Sequence, residues 1–352
     1  MVADQLGPAE KLWLSRQTKV IYEPPLTELL VAVGYVVTGG ERPYLAYLLA
    51  TACWLGGAPL LYQVASRLAG RRESGLVAVA YYLLAPLGII LSRSFQPEAA
   101  MVFGFVVALW WLVVRLPPRA GWGQTAVAGL VCGLTVAVKP GFAFFPLAAT
   151  YATLRLQQLG LRRALREPQW LLFGGLLVLP SLGYAYFFLA GHPGQKFLPQ
   201  LLLQANFYQG LGNQIAAAVG WYWLAAAVIG AVLLVSQRGS YVGLVLLSSY
   251  LLFCATFTYH TMTHSYYHAI AIVIVAVGIA PLDLPLREAC RGLARWQTSV
   301  CGLVAIVAMW HFSAAALPIT RRHPQFAEQV RFYQQLGEVC GRGSVVLCLD
   351  RN

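Results

Sequence analysis

The sequence predicts an all-α polytopic membrane protein, and three observations carry that prediction. Hydrophobic residues make up 59% of the 352 and charged residues 11%, with a mean hydropathy of +0.63. Soluble domains carry about 25% charged residues, so this chain has too few to clothe a solvated surface. Its apolar residues gather into runs that approach the length of a bilayer-crossing helix, about 17–25 residues. Finally, the basic residues behind the net charge of +12 sit in short clusters between those runs. That pattern is one of membrane topology and excludes a nucleic-acid groove, so no nucleic-acid partner is expected.

Ten segments are expected to cross or nearly cross the bilayer: Pro43–Val64, Gly75–Ser92, Glu98–Val114, Thr125–Val138, Gly141–Leu154, Trp170–Leu189, Ala216–Ser236, Tyr241–Thr258, Tyr266–Leu282 and Thr298–Leu317. The fourth and fifth are short and meet at Lys139-Pro140, which predicts tilted or broken helices, a feature membranes tolerate inside a bundle. Before the first span, Leu26–Thr38 is too short to cross and contains Glu28, so it is expected as a helix lying on the outer surface. After the last, Gln325 to Leu336 has helical periodicity and Ser344 to Leu349 reads as a strand. The expected organisation is therefore an outer segment over 1–42, a transmembrane domain over 43–317, and the start of a small outer α/β domain over 318–352.

Alternate connections differ in charge. Arg67, Arg71 and Arg72, Arg115 and Arg119, Arg155, Arg162, Arg163 and Arg166, Arg238, and Arg287, Arg291 and Arg295 fall in one set; its acids are Glu73, Glu167, Asp283 and Glu288. The positive-inside rule makes that set cytoplasmic, giving a multi-pass protein of the cytoplasmic membrane with membrane lipids as partners. The N-terminal segment carries Lys11, Arg16 and Lys19 and has no apolar core or cleavage site, so it is no signal peptide. A basic leader on the outer side runs against the charge bias, and a further helix upstream of it is expected.

The cysteines show no C-x-x-C pair, which argues against a zinc or iron–sulfur site. Cys53, Cys132, Cys254 and Cys301 lie in apolar runs as packing residues; Cys340 and Cys348 lie in the polar tail.

The outward set gathers the residues with chemical potential. Glu23 follows Tyr22 and precedes a double proline that fixes an extended lead into the surface helix. Arg93 and Glu98 flank a tight turn in which Pro97 and Glu98 suit a helix N-terminus. Lys139 stands between two short helices, where a compact point charge suits a phosphate held at the membrane surface. The run from Tyr259 to His268 offers His260, His264, His268 and three tyrosines, and His264 and His268 are spaced to share a helical face, compatible with a divalent metal. Each signal has an ordinary reading as well, namely a capping acid, a snorkelling cation or an interfacial aromatic belt. Charge beside a bilayer is costly, however, and convergence on one side marks a candidate site.

Four of these motifs together resemble the bacterial GT-C membrane glycosyltransferases, in the branch of protein mannosyltransferases and lipid A aminoarabinose transferases. They are Tyr22-Glu-Pro-Pro-Leu26, Ser92-Arg-Ser-Phe-Gln-Pro-Glu98, Val138-Lys-Pro-Gly141 and Thr263-His-Ser-Tyr-Tyr-His268, and the resemblance covers Tyr22 to the C-terminus. It implies an inverting enzyme that takes a sugar from a polyprenyl-phosphate donor to a glycan, lipid or protein acceptor on the outer face. By that resemblance Glu23 matches an acid of a metal site, Glu98 an acid at the mouth of the cavity and Tyr267 a tyrosine near the lipid phosphate. Taken with the residues themselves, the expected roles are catalytic carboxylates at Glu23 and Glu98, substrate contacts from Arg93, Lys139, Tyr266 and Tyr267, and metal ligation by Glu23, His264 and His268. The family's lysine after the first of these acids is replaced by Pro24, so the phosphate contact falls to Lys139 or Arg93. The family's acid after its first helix has no counterpart here. Two other readings accompany this one: a transporter or lipid flippase, and an inactive remnant of the family. A transporter is expected to show matching halves with charges at the midplane, and neither is visible.

Overall fold

The computed structural model describes residues 24–40, 42, 44–118, 120–184, 198–290 and 295–317, together with 335, 338 and 339. Residues 22–316 form one compact unit, and 1–21 with 317–352 group separately. Glu23, the strand expected at Ser344–Leu349 and the α/β domain expected from 318 lie outside the described residues.

The described chain is helical, with no strand among those residues. It runs α1 (Leu26–Val37), α2 (Tyr44–Ala69), α3 (Arg72–Leu84), α4 (Pro86–Leu91) and α5 (Pro97–Trp110), the last prolonged by a π turn at Trp111–Arg115. Then come α6 (Trp122–Val138), α7 (Phe144–Leu156), a single turn at Leu161–Ala164, α8 (Pro168–Tyr184), α9 (Ala205–Ala218), α10 (Trp221–Arg238) and α11 (Val242–Thr256). The chain continues through α12 (Thr258–Thr263), α13 (Ala269–Ile279), α14 (Asp283–Cys290) and α15 (Arg295–Ala314). Among the described residues four helical stretches are long and apolar enough to cross a bilayer: Tyr44–Ala69, Pro97–Arg115, Trp221–Arg238 and Ser265–Pro285. Leu48, Leu55, Leu130, Leu179, Ile229 and Leu251 point outward, as lipid-facing positions do. The protein is an all-α membrane protein.

Prolines set the breaks. Pro86 forces Ala85 into an extended conformation (φ −61°, ψ 128°), so the segment expected as one run from Gly75 to Ser92 is two helices. Pro140 does the same to Lys139 (φ −150°, ψ 92°), which ends α6 and leaves a short 3₁₀ turn before α7, the broken geometry expected there. The segment expected to begin at Ala216 starts later. Gly220, at φ 78°, separates α9 from α10, and a positive φ there favours glycine.

Helix contacts rest on small residues. Along α6 and α8, a Cβ on Gly133 would stand 2.1 Å from the Leu176 carbonyl oxygen, and one on Gly129 would stand 2.7 Å from that of Phe173. This small-x-x-x-small seam lets the two backbones touch, and dispersion contacts then replace the hydrophobic drive absent in lipid. At the centre, α13 is buried from Ala269 to Ile279 on all sides, as a uniformly apolar helix requires. By contrast α1 buries only Thr27 and Val31 while Leu29, Leu30, Val33 and Val36 are exposed, which fits a helix resting on a bilayer surface.

Candidate active site

Glu98 and Lys139 come together because α5 and α6 are antiparallel neighbours. Glu98 opens α5 one residue after Pro97, and Lys139 closes α6, so each charge complements its own helix dipole. The Lys139 ammonium donates to Glu98 Oε1 at 2.5 Å, with the two side chains 4% and 3% exposed. Removing two charges from water is costly, and the mutual attraction repays it only where geometry is good.

The aromatic run caps this pair. Lys139 Nζ lies 4.8 Å from the centre of the Tyr267 ring, 5.1 Å from Tyr266 and 5.6 Å from Phe142. Such contacts hold a cation against ring faces. His260 stacks on Tyr267 with centroids 4.8 Å apart and planes within 13°, and His264 meets Tyr266 edge-on at 5.2 Å. Glu98, Lys139, His260, His264, Tyr266 and Tyr267 therefore form one constellation at a single end of the bundle.

The expected helical pair of His264 and His268 does not form. His264 is extended (φ −128°, ψ 116°) and breaks the chain between α12 and the 3₁₀ turn Ser265–His268, so the two do not share a helical face: His264 meets Tyr266 and Tyr267, whereas His268 meets Tyr250. His268 is fully buried; its Nδ1 shares a 2.5 Å hydrogen bond with the Tyr250 hydroxyl, and its Nε2 lies 2.8 Å from the Thr261 carbonyl oxygen. Both ring nitrogens are thus engaged in holding α11, α12 and the turn together, and none remains to ligate a metal. Among the described residues no three His, Cys, Asp or Glu side chains gather as metal ligands.

Arg93 sits on the turn after α4, five residues before Glu98, with its side chain exposed and its backbone N–H bonded to the Ile90 carbonyl. No ion pair involves it among the described residues. His260 was singled out with the run from Tyr259 to His268 but given no role, although its spacing of four from His264, within a helical turn, was a usable signal. Cys132 and Cys254 are free and buried, as expected of packing residues.

The helical membrane bundle is the fold class that the resemblance to the GT-C glycosyltransferases implied, and the comparisons with known proteins bear on that resemblance. Residues 22–183 match the model of the dolichyl-phosphate-mannose-protein mannosyltransferase family, a stretch that includes both Glu98 and Lys139. The fold is similar to the crystal structure of ArnT, an aminoarabinose transferase, from Cupriavidus metallidurans in the apo state, with a TM-score of 0.53 and 19% identity over 88% of this chain. The chain spans 57% of the length of that protein. No curated protein sequence is significantly similar to the chain. Family model and shared fold both support the resemblance to the GT-C glycosyltransferases.

Proposed function

We propose that this chain is the helical body of an integral membrane glycosyltransferase. It crosses the cytoplasmic membrane ten times and moves a sugar from a polyprenyl-phosphate donor to a glycan, lipid or protein acceptor on the outer face. The observation that supports this reading best is the buried Lys139–Glu98 pair beneath Tyr266 and Tyr267. The acceptor hydroxyl attacks the anomeric carbon, the bond from that carbon to the phosphate oxygen breaks, and polyprenyl phosphate leaves with the electron pair. Lys139 meets the charge that grows on the leaving phosphate, in a site where little water competes. Arg93, exposed on the neighbouring turn, is a second cation for the same phosphate. As the phosphate engages Lys139, the Glu98 carboxylate is released to accept the hydroxyl proton; Glu23 is the other carboxylate assigned to that role. Any divalent metal would draw on Glu23 and His264, because His268 is already committed.

The test is transfer from a polyprenyl-phosphate sugar by the protein reconstituted in liposomes. Lys139→Ala should lower turnover by about 100-fold or more, the usual size of losing one preorganised contact to a developing anion. Lys139→Arg should restore only part of it, since a planar fork does not replace a point charge in a tight site. Unchanged turnover in the alanine variant would refute the phosphate role.

A further inference from the structure

A cavity of ≈ 290 Å³ opens at the end of the bundle opposite Lys139, and the proposed transfer does not use it. From Glu98 to Leu116 the chain runs along α5 and its π turn, roughly 27 Å at 1.5 Å per residue, so the two sites are separated by about one bilayer core. Arg67 and Arg238 stand at its rim, while Leu112, Leu116 and their neighbours make an apolar wall. Neither arginine belongs to an ion pair among the described residues. Arg238 is not a loosely hanging side chain: it lies over Gly70, where an added Cβ would stand 2.2 Å from Nη2, and Gly70 holds φ 73°.

The positive-inside rule alone accounts for arginines at this end, so they do not by themselves make a site. Two buried atoms do. Ser240 is 1% exposed, lines the cavity, and its hydroxyl has no hydrogen-bond partner among the described residues. Gln157 donates from Nε2 to the Leu116 carbonyl at 3.0 Å, which leaves its Oε1 buried and without a donor in the same cavity. Buried polar groups left unpaired are costly, and each calls for a partner.

We propose that this cavity binds the headgroup of an anionic glycerophospholipid from the cytoplasmic leaflet. Arg67, Arg238 and the Ser240 hydroxyl donate to the phosphate, and Gln157 Oε1 accepts from a headgroup hydroxyl. The apolar wall receives the start of the acyl chains, and the volume suits a headgroup and not a whole lipid. Basic pockets between helices at this depth are suited to such recognition. The arrangement is independent of the transfer reaction and stands if that reading fails.

Native mass spectrometry of the full chain, titrated with phosphatidylglycerol or phosphatidylcholine, tests it. The wild type should retain one phosphatidylglycerol about tenfold more tightly than phosphatidylcholine, and Arg67→Gln with Arg238→Gln should remove that preference. Because those changes alter loop charge, Ser240→Val provides a second test that leaves topology signals intact; it should weaken retention severalfold, since the donor is lost and the space filled. Equal retention in wild type and Ser240→Val would overturn the site. Displacement of the lipid by millimolar inorganic phosphate would overturn the lipid assignment and make the ligand a soluble phosphate.

Discussion

Lys139 and Glu98, 41 residues apart in sequence, meet at 2.5 Å with both side chains nearly sealed from solvent. Each lies beside a proline that fixes its place at a helix end, and each is the charge its own helix end favours. The pair therefore positions a cation under Tyr266 and Tyr267 before any substrate arrives.

Breaking the pair from the acidic side should cost stability as well as activity. Glu98→Ala removes the carboxylate that meets a buried ammonium, a change expected to destabilise by about 3–5 kcal/mol. The double variant Glu98→Ala, Lys139→Met should be more stable than Glu98→Ala alone, because the buried ammonium is removed together with the carboxylate that meets it. Thermal unfolding in detergent reads both, and a double variant less stable than either single one would show that the pair is not the main partner of either residue.

His268 is expected to act through the fold. Its ring joins the Tyr250 hydroxyl to the Thr261 carbonyl, and His268→Ala removes a hydrogen bond from each of these buried groups, at about 1–3 kcal/mol each. The variant should unfold at lower temperature, while whatever protein remains folded should transfer sugar at close to the normal rate. A full loss of turnover with unchanged unfolding temperature would return His268 to the expected metal ligands.

The helical class, the break at Lys139 and the short helix Leu26–Val37 were legible because they follow from hydropathy and from proline, both local properties. The pairing of Glu98 with Lys139 was not, since it depends on α5 and α6 being antiparallel neighbours. A hint was available all the same: both charges border a proline, in connections that the charge bias assigns to one side. The histidine run misled for a related reason. A spacing of four implies a shared face only in an unbroken helix, and the extended backbone at His264 cancels that implication. His260, one turn earlier, takes the place beside Tyr267 instead.

The seam between α6 and α8 should tolerate no side chain. Gly133→Val places a branched group where the Leu176 carbonyl already stands within 2.1 Å of an ideal Cβ, and backbone cannot swing aside as a flexible side chain can. The folded yield should fall sharply, whereas Gly174→Ala, on the partner helix with nothing within 4 Å of its ideal Cβ, should be almost neutral. Comparable yields of the two variants, measured by size-exclusion of a fluorescent fusion, would mean that the seam is looser than drawn.

Topology is the assumption beneath the whole functional reading, and it predicts that Arg162 and Gln96 face opposite compartments. Both are exposed, Arg162 on the turn Leu161–Ala164 and Gln96 just before α5. With the seven native cysteines replaced, single cysteines at these positions should react differently with a membrane-impermeant maleimide. Gln96→Cys should label in intact cells and Arg162→Cys only after permeabilisation. The arginine-rich loops demand this sense, because translocating them runs against the charge bias. Labelling of both from outside would place the Lys139 constellation and the arginine cavity on sides that the charges do not explain, and the outer-face transfer would have to be abandoned. Labelling in the reverse sense would keep the fold and the ion pair but move the chemistry to the cytoplasmic face, where a soluble nucleotide sugar is the more accessible donor.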